Sequence, residues 1–184
     1  MELYSAGMQH SAETVRQFTL LQYNTFEWWR KLLLFLLSAV LIVFGISSLS
    51  SLPRIFCLFT GCIILTNLNT RANSIADSVI EAMQGNYPLL RYSFAASGFT
   101  DGDDRPEVPY AKLFRLIADG KYMYLFTSKA SGYMIEKETV QGPDGAAGLM
   151  ALLSRETGLG WGKPFSLLTF RLRDLLPQYK KHGN

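Results

Sequence analysis

The side chains best suited to chemistry occur in patterns that do not match a reaction site. The stretch GLGWGKP (158–164) contains the Gly-Lys pair of a phosphate-binding loop. Such a loop also requires a preceding strand and a Ser or Thr after the lysine, so that backbone N–H groups and the hydroxyl hold phosphate and Mg²⁺. Here Pro164 follows Lys163, and a helical segment precedes the glycines. The stretch therefore predicts a glycine-rich turn.

The two histidines provide no general base inside a predicted folded segment. His10 and His182 lie near the two ends of the sequence, and no Gly-x-Ser-x-Gly nucleophile motif is present. General acid–base catalysis needs a titratable group that is held in a fixed position. We therefore expect that the chain is not an enzyme and that it uses no cofactor.

The sequence contains two groups of potential metal ligands. Asp101, Asp103 and Asp104 carry the oxygen donors that hard cations prefer, but the ligand spacing of a calcium loop is absent. A solvated hairpin turn is the favoured interpretation. Cys57 and Cys62 lie five residues apart on different faces of a predicted helix, so neither a disulfide nor a metal site is expected.

Four basic residues flank two predicted central strands and form the candidate partner surface: Lys112, Arg115, Lys121 and Lys129. Beyond Ala72 the acidic and basic residues nearly balance, so the chain lacks the basic stripe that nucleic acids require. No nucleic-acid partner is expected. A protein partner or self-association is favoured, with anionic lipid headgroups as the alternative.

An aromatic group in the same region has two interpretations. It comprises Tyr122, Tyr124, Phe126 and Tyr133. These side chains could line a ligand groove, or they could pack in the core. Because the strand around them is apolar on both faces, core packing is favoured.

Two uncharged segments predict a transmembrane helical hairpin. Between Lys31 and Arg71 the only charged residue is Arg54. A crossing needs about 20 apolar residues, and the segment 32–52 meets that length. The segment 55–70 is shorter and either crosses with local thinning of the bilayer or remains partly buried or re-entrant. The Pro-Arg step between them predicts the turn, and a cleaved signal peptide is disfavoured.

The flanking residues predict the orientation of this hairpin and its membrane interface. The interface residues are Trp28, Trp29, Arg30, Lys31, Arg54 and Arg71. Basic residues are more frequent on the side of the termini than in the connecting loop, and cytoplasmic segments carry the excess of Lys and Arg. We therefore expect two crossings of the cell membrane with both termini in the cytoplasm.

Helical periodicity predicts two further elements beside the hairpin. The cytoplasmic N-terminal segment 1–31 contains an amphipathic helix that begins at a Ser11 cap, with a stripe of Val15, Phe18, Gln22, Phe26 and Trp29. It lies either on the membrane surface or on the soluble domain. Residues 71–86 form a connecting helix with Ile75, Val79 and Met83 on one face and with Ala72, Ala76 and Ala82 close to that stripe. The helix stops at Gly85.

The remaining residues, 87–184, predict a cytoplasmic domain of about five or six antiparallel strands. Asp119-Gly120 indicates a hairpin, and 121–128 reads as a central strand that is covered on both faces. Residues 142–158 switch to a helical period, and a second helix is predicted within 165–176. A strongly bent sheet or partial barrel that is closed by a helix would bury the apolar faces. The fold class is therefore α+β, with a membrane hairpin.

This layout resembles the bacterial YcxB-like membrane proteins. The matching stretches are YSFAASGFTDG (92–102) and VPYAKLFRLIADGKYMYLF (108–126). The resemblance implies two transmembrane helices followed by a pleckstrin-homology-like sheet with a trailing helix. One departure is Glu136 in MIEKETV (134–140), where the family tends to have proline. The resemblance implies fold and location, and it implies almost nothing about mechanism.

Two functional hypotheses follow. The preferred one is a non-enzymatic, membrane-anchored binding module that presents the soluble domain to a partner. The alternative is an accessory or immunity-type subunit of a larger membrane complex, such as a transporter. Small residues in the hairpin that permit close helix approach suggest the alternative: Ser38, Ala39, Gly45 and Gly61.

Overall fold

The structure is a computed structural model that describes residues 3–47, 50–102 and 105–164. These residues form two compact units. The helical unit is Val15–Gln84, and the β unit comprises the described residues of Met1–Thr14 and Gly85–Asn184. The mixture of helices and β-sheets predicted from the sequence is confirmed.

The helical unit contains four helices: α1 (Ala12–Phe26), α2 (Trp28–Ser47), α3 (Ser51–Thr66) and α4 (Thr70–Met83). The predicted cap of α1 is confirmed, because the Ser11 hydroxyl accepts a 3.2 Å hydrogen bond from the Thr14 N–H. The Thr14 hydroxyl oxygen in turn accepts from the Ser11 N–H at 2.8 Å. This reciprocal pair satisfies backbone donors that the first turn leaves without helical partners.

The predicted stripe on α1 is only partly right. Val15 is buried, whereas Phe18, Gln22 and Phe26 are half-buried and Trp29, which belongs to α2, is exposed. The other buried side chains of α1 are Thr19, Leu21, Tyr23 and Thr25. A bend at Glu27 separates α1 from α2, so one helical period does not continue from Val15 to Trp29.

Helices α2 and α3 pack as an antiparallel pair through small residues. The Ser38 hydroxyl donates a 2.7 Å hydrogen bond to the Gly61 carbonyl. A Cβ at Gly61 would lie 2.8 Å from Ile42 Cγ1, and a Cβ at Gly45 would lie 2.9 Å from Leu58 Cγ. The two backbones therefore approach too closely for a larger side chain at either glycine.

The turn between these helices differs from the predicted one. Pro53 was expected to end a helix, but it lies in the first turn of α3, which begins at Ser51. Proline is tolerated there because the first-turn N–H groups have no intrahelical acceptor. Helix α2 ends at Ser47 and α3 begins at Ser51, so Pro53 lies inside a helix and not in the connection between the two helices.

The connecting helix is confirmed as α4, and its predicted face is only partly right. Ala72 and Ala76 are fully buried, whereas Ile75 and Val79 are exposed. The helix ends as predicted near Gly85: Gln84 and Gly85 both have positive φ, at 49° and 78°. Glycine adopts this left-handed conformation without a Cβ clash.

The first sheet of the β unit has the strand order β1-β2-β3-β4. These strands are Tyr4–Gln9, Leu89–Phe94, Gly98–Asp101 and Val108–Pro109. Strand β1 pairs with β2 in an antiparallel register from Tyr4↔Phe94 to Gln9↔Leu89. One face of the sheet is apolar and buried, with Met8, Tyr92, Phe94 and Phe99.

The second sheet has the order β7-β6-β5-β8. Its strands are β5 (Arg115–Ala118), β6 (Tyr122–Phe126), β7 (Gly132–Glu136) and β8 (Trp161–Gly162). All residues of β6 are buried, which confirms the predicted central strand covered on both faces. Strand β8 was not predicted, and it pairs with β5 in parallel.

Hydrogen bonds and aromatic rings join the two sheets. Gln141, which follows β7, exchanges backbone hydrogen bonds of 3.0 and 2.8 Å with Ser5 of β1. The Tyr133 ring of β7 meets the Phe99 ring edge-on, with centroids 4.9 Å apart. The predicted core role of Tyr122, Tyr124 and Phe126 is thus confirmed by their burial.

The predicted helix after the strands is confirmed as α5, Gly145–Thr157, with Gly158 as its left-handed C-cap. It packs near the 3-10 turn Tyr110–Lys112. The Trp161 indole N–H donates a 3.0 Å hydrogen bond to the Met150 carbonyl, so β8 and α5 are joined. The second helix predicted within 165–176 lies outside the described residues.

We expect Gly61→Leu to destabilise the hairpin by about 1–3 kcal/mol, because overpacking forces the two backbones apart. The Cβ would also lie 3.2 Å from the Ser38 carbonyl oxygen. Thermal unfolding of the detergent-solubilised chain by far-UV circular dichroism measures the effect. Cys62→Leu is the matched control, since Cys62 is exposed on the same helix. Equal stability of the two variants would contradict the close packing.

The β unit is expected to lose stability in alkaline solution. Burial, and next the charge of Asp101, raise the pKa of the Tyr92 hydroxyl well above its ordinary value. The folded chain therefore holds this proton at a pH where the unfolded chain releases it, so the stabilisation is complete below about pH 10 and is lost above it. Denaturant unfolding across this range should show a shallower loss for Tyr92→Phe than for the unaltered chain. Parallel losses would contradict the assignment.

Candidate functional site

The apolar surface of α2 is the first candidate site. Among the described residues, α2 is the one helix that is long and apolar enough to cross a membrane by length and composition. Its 20 residues extend about 30 Å, the thickness of a hydrocarbon core. Its exposed side chains include Leu33, Val40 and Phe44. The sequence expectation of an apolar crossing segment is therefore met by one helix.

Helix α3 does not meet the same criterion by itself. It has 16 residues, and it qualifies only when it is joined with α4 across a bend of 41°. Its exposed side chains are nevertheless also apolar, including Ile55, Phe56 and Phe59. The predicted difference between the two cysteines is confirmed, because Cys57 is buried and Cys62 is exposed.

Three of the predicted interface residues, Arg30, Lys31 and Arg71, lie at the base of the hairpin, where α2 begins and α3 has ended. Arg30 forms a 3.0 Å ion pair with Glu27, and Arg71 approaches the same carboxylate oxygen at 3.8 Å. The Lys31 ammonium donates to the side-chain oxygens of Asn24 and Asn69. We call this group the collar: Asn24, Glu27, Arg30, Lys31, Asn69 and Arg71.

The collar is a set of charge-assisted hydrogen bonds between segments that are distant in sequence. Lys31 links α1 to the segment before α4, and its ammonium also lies 5.2 Å from the centroid of the Tyr23 ring. Ionised donors make stronger hydrogen bonds than neutral ones. Because all these groups are half-buried or exposed, their ion pairs contribute little stability and can exchange partners.

The remaining interface residues lie in two places. Trp28 and Trp29 begin α2 beside the collar; Trp28 is half-buried and Trp29 is exposed, with the Arg30 guanidinium 5.3 Å from the Trp29 ring. Arg54 lies in the first turn of α3, at the opposite end of the hairpin. The structure thus brings five of the six predicted residues to one end and leaves Arg54 at the other.

The predicted partner surface of the β unit is divided between two ends of a sheet. Lys112 and Arg115 lie at the start of β5, and Lys129 follows the end of β6. Because β5 and β6 are antiparallel, with Arg115 opposite Phe126, these three residues lie towards the same end. Lys121 lies at the other end, about 17 Å away at roughly 3.3 Å per residue.

Lys121 has two close side-chain partners, Glu136 and Tyr122. Its ammonium lies 3.1 Å from a Glu136 carboxylate oxygen and 5.1 Å from the Tyr122 ring centroid. Interaction with the Tyr122 side chain, and next with Glu136, raises the pKa of Lys121 above its ordinary value. Three of the four predicted residues, Lys112, Arg115 and Lys129, therefore lie towards one end of the sheet, which we call the basic sheet end, and Lys121 lies apart from them.

The turn before β6 is held by a single carboxylate. Asp119 Oδ1 accepts from the N–H groups of Lys121 and Tyr122 at 2.8 and 2.7 Å, and Oδ2 accepts from the Tyr124 hydroxyl at 2.7 Å. The predicted hairpin is confirmed, with Gly120 and Lys121 at its centre. The buried Tyr124 hydroxyl is thereby satisfied, which is a structural role for Asp119.

A polar groove of about 590 Å³ lies on the face of the first sheet that is opposite its apolar core. Its floor is formed by Ser5, Gly7, Ser93 and Thr100, and Arg91 and Glu138 are exposed beside it. The Thr139 hydroxyl accepts from the Gly7 N–H at 3.0 Å and donates to the Gly7 carbonyl at 2.7 Å. The groove is open and contains charges of both signs.

No cluster of potential metal ligands occurs within the residues that the structure describes. Asp101, one of the acidic residues considered above, pairs with Arg105 at 2.6 Å. Its companions Asp103 and Asp104 lie outside the described residues. The stretch 158–164, predicted as a glycine-rich turn, contains the left-handed C-cap Gly158 and the short strand β8.

Sequence reasoning missed two of the three acceptors of the collar. Asn69 is singled out in the sequence, with Asn67, as a residue that bonds across the helix pair or marks the interface, and it accepts from Lys31. Asn24 and Glu27 were not identified, although their polar side chains lie close to the start of the first apolar segment. That proximity is the signal that could have identified them. The groove residues on β1 carried no such signal, because β1 meets β2 only in the folded chain.

Comparisons with models of protein families, with curated proteins and with solved structures found no match to this chain.

Proposed function

We propose that this chain is a membrane-anchored, non-enzymatic binding module. Helices α2 and α3 cross the cell membrane as a hairpin, and the β unit presents its basic sheet end to a protein partner or to a second copy in the cytoplasm. The resemblance to YcxB-like proteins favours a pleckstrin-homology-like description of the β unit. Its two sheets and following helix are compatible with that description.

The observation that carries the proposal is the pairing of β1 with β2. Strand β1 precedes the hairpin in sequence, and β2 follows it, yet the two strands are joined by a continuous antiparallel ladder. Strands that are hydrogen-bonded to each other must lie on the same side of a membrane. If α2 crosses, the chain must cross again before Leu89, and α3 is the segment that is available.

Solvent exposure of apolar side chains supports the same topology. The exposed surface of α2 and α3 includes many large apolar residues. Exposed apolar patches of this kind mark membrane or protein interaction sites. Helix α3 is about 24 Å long at roughly 1.5 Å per residue, and a shortfall of this size is accommodated by thinning of the bilayer.

The distribution of charge supports the cytoplasmic orientation. The collar places Arg30, Lys31 and Arg71 at the end of the hairpin that joins the rest of the chain, and Arg54 alone is at the far end. Positively charged residues near crossing segments remain on the cytoplasmic side.

The alternative, an accessory or immunity-type subunit of a larger membrane complex, has less support. Three of the four small residues that suggested it, Ser38, Gly45 and Gly61, are buried within the α2–α3 contact, and the fourth, Ala39, is half-buried. Enlarging Gly45 or Gly61 would therefore disturb even an isolated hairpin. These residues do not indicate a packing surface for another membrane protein.

Cysteine labelling in cells tests the topology. In a Cys57→Ala, Cys62→Ala background, we expect Ser50→Cys to react with a membrane-impermeant maleimide on intact cells. Ala130→Cys and Leu3→Cys should react only after lysis, because β1 and the second sheet belong to the same unit. Labelling of Ala130→Cys and not of Ser50→Cys on intact cells would reverse the orientation, and protection of all three positions until lysis would rule out the crossings.

Site-specific crosslinking in native membranes tests the partner surface. A photo-crosslinker in place of Lys129 is expected to capture a protein partner or a second copy, because Lys129 is exposed at the basic sheet end. The same crosslinker in place of Lys121 is the matched control, and it should give several-fold less product. Equal yields from both positions, or no product from Lys129, would contradict the proposed surface.

A further inference from the structure

The collar has more positive than negative charge. Arg30 and Arg71 share the single carboxylate of Glu27, and Lys31 adds a third positive charge. The other acidic residues of the helical unit are Asp77 and Glu81, both in α4. Asp77 pairs with Arg16 at 2.5 Å. Two positive charges of the collar are therefore not balanced by a carboxylate within it.

The Lys31 ammonium is held in position by neutral groups. Its hydrogen bonds go to the side-chain oxygens of Asn24 and Asn69, and the Tyr23 ring lies on a further side. These acceptors orient the ammonium without neutralising it. Lys31 is next to Arg30 in sequence, and the guanidinium groups of Arg30 and Arg71 share one carboxylate. Basic groups at this end of the hairpin suit a phosphate, because phosphate oxygens accept several charge-assisted hydrogen bonds at once.

The surroundings of the collar distinguish a lipid from a small soluble anion. The exposed apolar surface of α2 begins at Leu32, directly after Lys31, and continues through Leu33 and Phe35. Trp29, which is 48% exposed, adds an amphipathic ring of the kind enriched at membrane interfaces. A molecule whose phosphate occupies the collar would have its acyl chains alongside this apolar surface.

We propose that the collar binds the phosphate headgroup of an anionic lipid. This inference rests on the proposed membrane anchoring, and it assigns Arg30, Lys31 and Arg71 as the headgroup ligands. The bound headgroup neutralises the excess charge of the collar and fixes the depth at which the hairpin enters the bilayer. Basic residues close to a membrane surface act in this way on anionic lipids.

The test uses the full chain in a neutral detergent with added phosphatidylglycerol or phosphatidylcholine. We expect phosphatidylglycerol, and not phosphatidylcholine, to raise the thermal unfolding temperature in a saturable manner. Arg71→Gln should weaken the apparent affinity for phosphatidylglycerol about fivefold, the effect of about 1 kcal/mol for one basic residue near a surface. Lys31→Gln, which retains a donor and removes the charge, should weaken it at least as much.

Arg54→Gln is the matched control, since it removes the same charge at the far end of the hairpin. An equal loss of affinity in Arg54→Gln and Arg71→Gln would overturn the collar as the site, and so would an equal response to both lipids. If glycerol phosphate alone reproduced the effect, the assignment to a lipid would be wrong.

Flotation with phosphatidylcholine vesicles separates this inference from the proposed function. If the chain floats with these vesicles and shows no response to phosphatidylglycerol, only the headgroup site fails. If the chain does not float with the phosphatidylcholine vesicles, the membrane anchoring fails and the headgroup site fails with it. Flotation together with a phosphatidylglycerol response that depends on Arg71 supports both.

Discussion

Pairing of β1 with β2 is the interaction on which the arrangement of this chain depends. The ladder runs from Tyr4↔Phe94 to Gln9↔Leu89, and the entire helical unit lies between its two strands in sequence. Closing so long a loop costs entropy, which the ladder and the buried Met8, Tyr92 and Phe94 offset. The consequence is that the chain leaves β1 at Gln9 and enters β2 at Leu89, two residues that lie opposite each other in the ladder.

The outer edge of β1, away from β2, is contacted by the segment after β7. Gln141 pairs with Ser5 through the backbone, and the Thr139 hydroxyl both donates to and accepts from the backbone of Gly7. An unprotected edge strand is a template for aggregation. The backbone groups of Ser5 and Gly7 therefore have hydrogen-bond partners on the outer edge of β1, and the first and second sheets are joined at that edge.

Polar groups in the helical unit are concentrated at the ends of an otherwise apolar pair. Within the α2–α3 contact, the Ser38 hydroxyl is satisfied by the Gly61 carbonyl. The charged residues are found at the collar and at Arg54, on either side of the apolar segments. This distribution is compatible with the proposed membrane anchoring, because unsatisfied polar groups are costly in hydrocarbon and charges are favoured near headgroups.

Helices, strands and turns that depend on neighbouring residues alone could be predicted from the sequence. Periodicity and glycine caps predicted α4 and α5, and the Asp119 turn and the apolar run at Tyr122–Phe126 predicted β5, β6 and their hairpin. Prediction failed where a choice depends on partners: Pro53 is accommodated in a first turn, and Ile75 and Val79 are exposed although they lie on the predicted face of α4. Three contacts between distant segments are seen only in the folded chain. They are the pairing of β1 with β2, the pairing of β8 with β5, and the hydrogen bond from Lys31 to Asn69. The physical reason is that hydrogen-bond ladders and charge pairs between distant segments are chosen by the packing of the whole chain, whereas turns, caps and hydrophobic periods are specified by neighbouring residues.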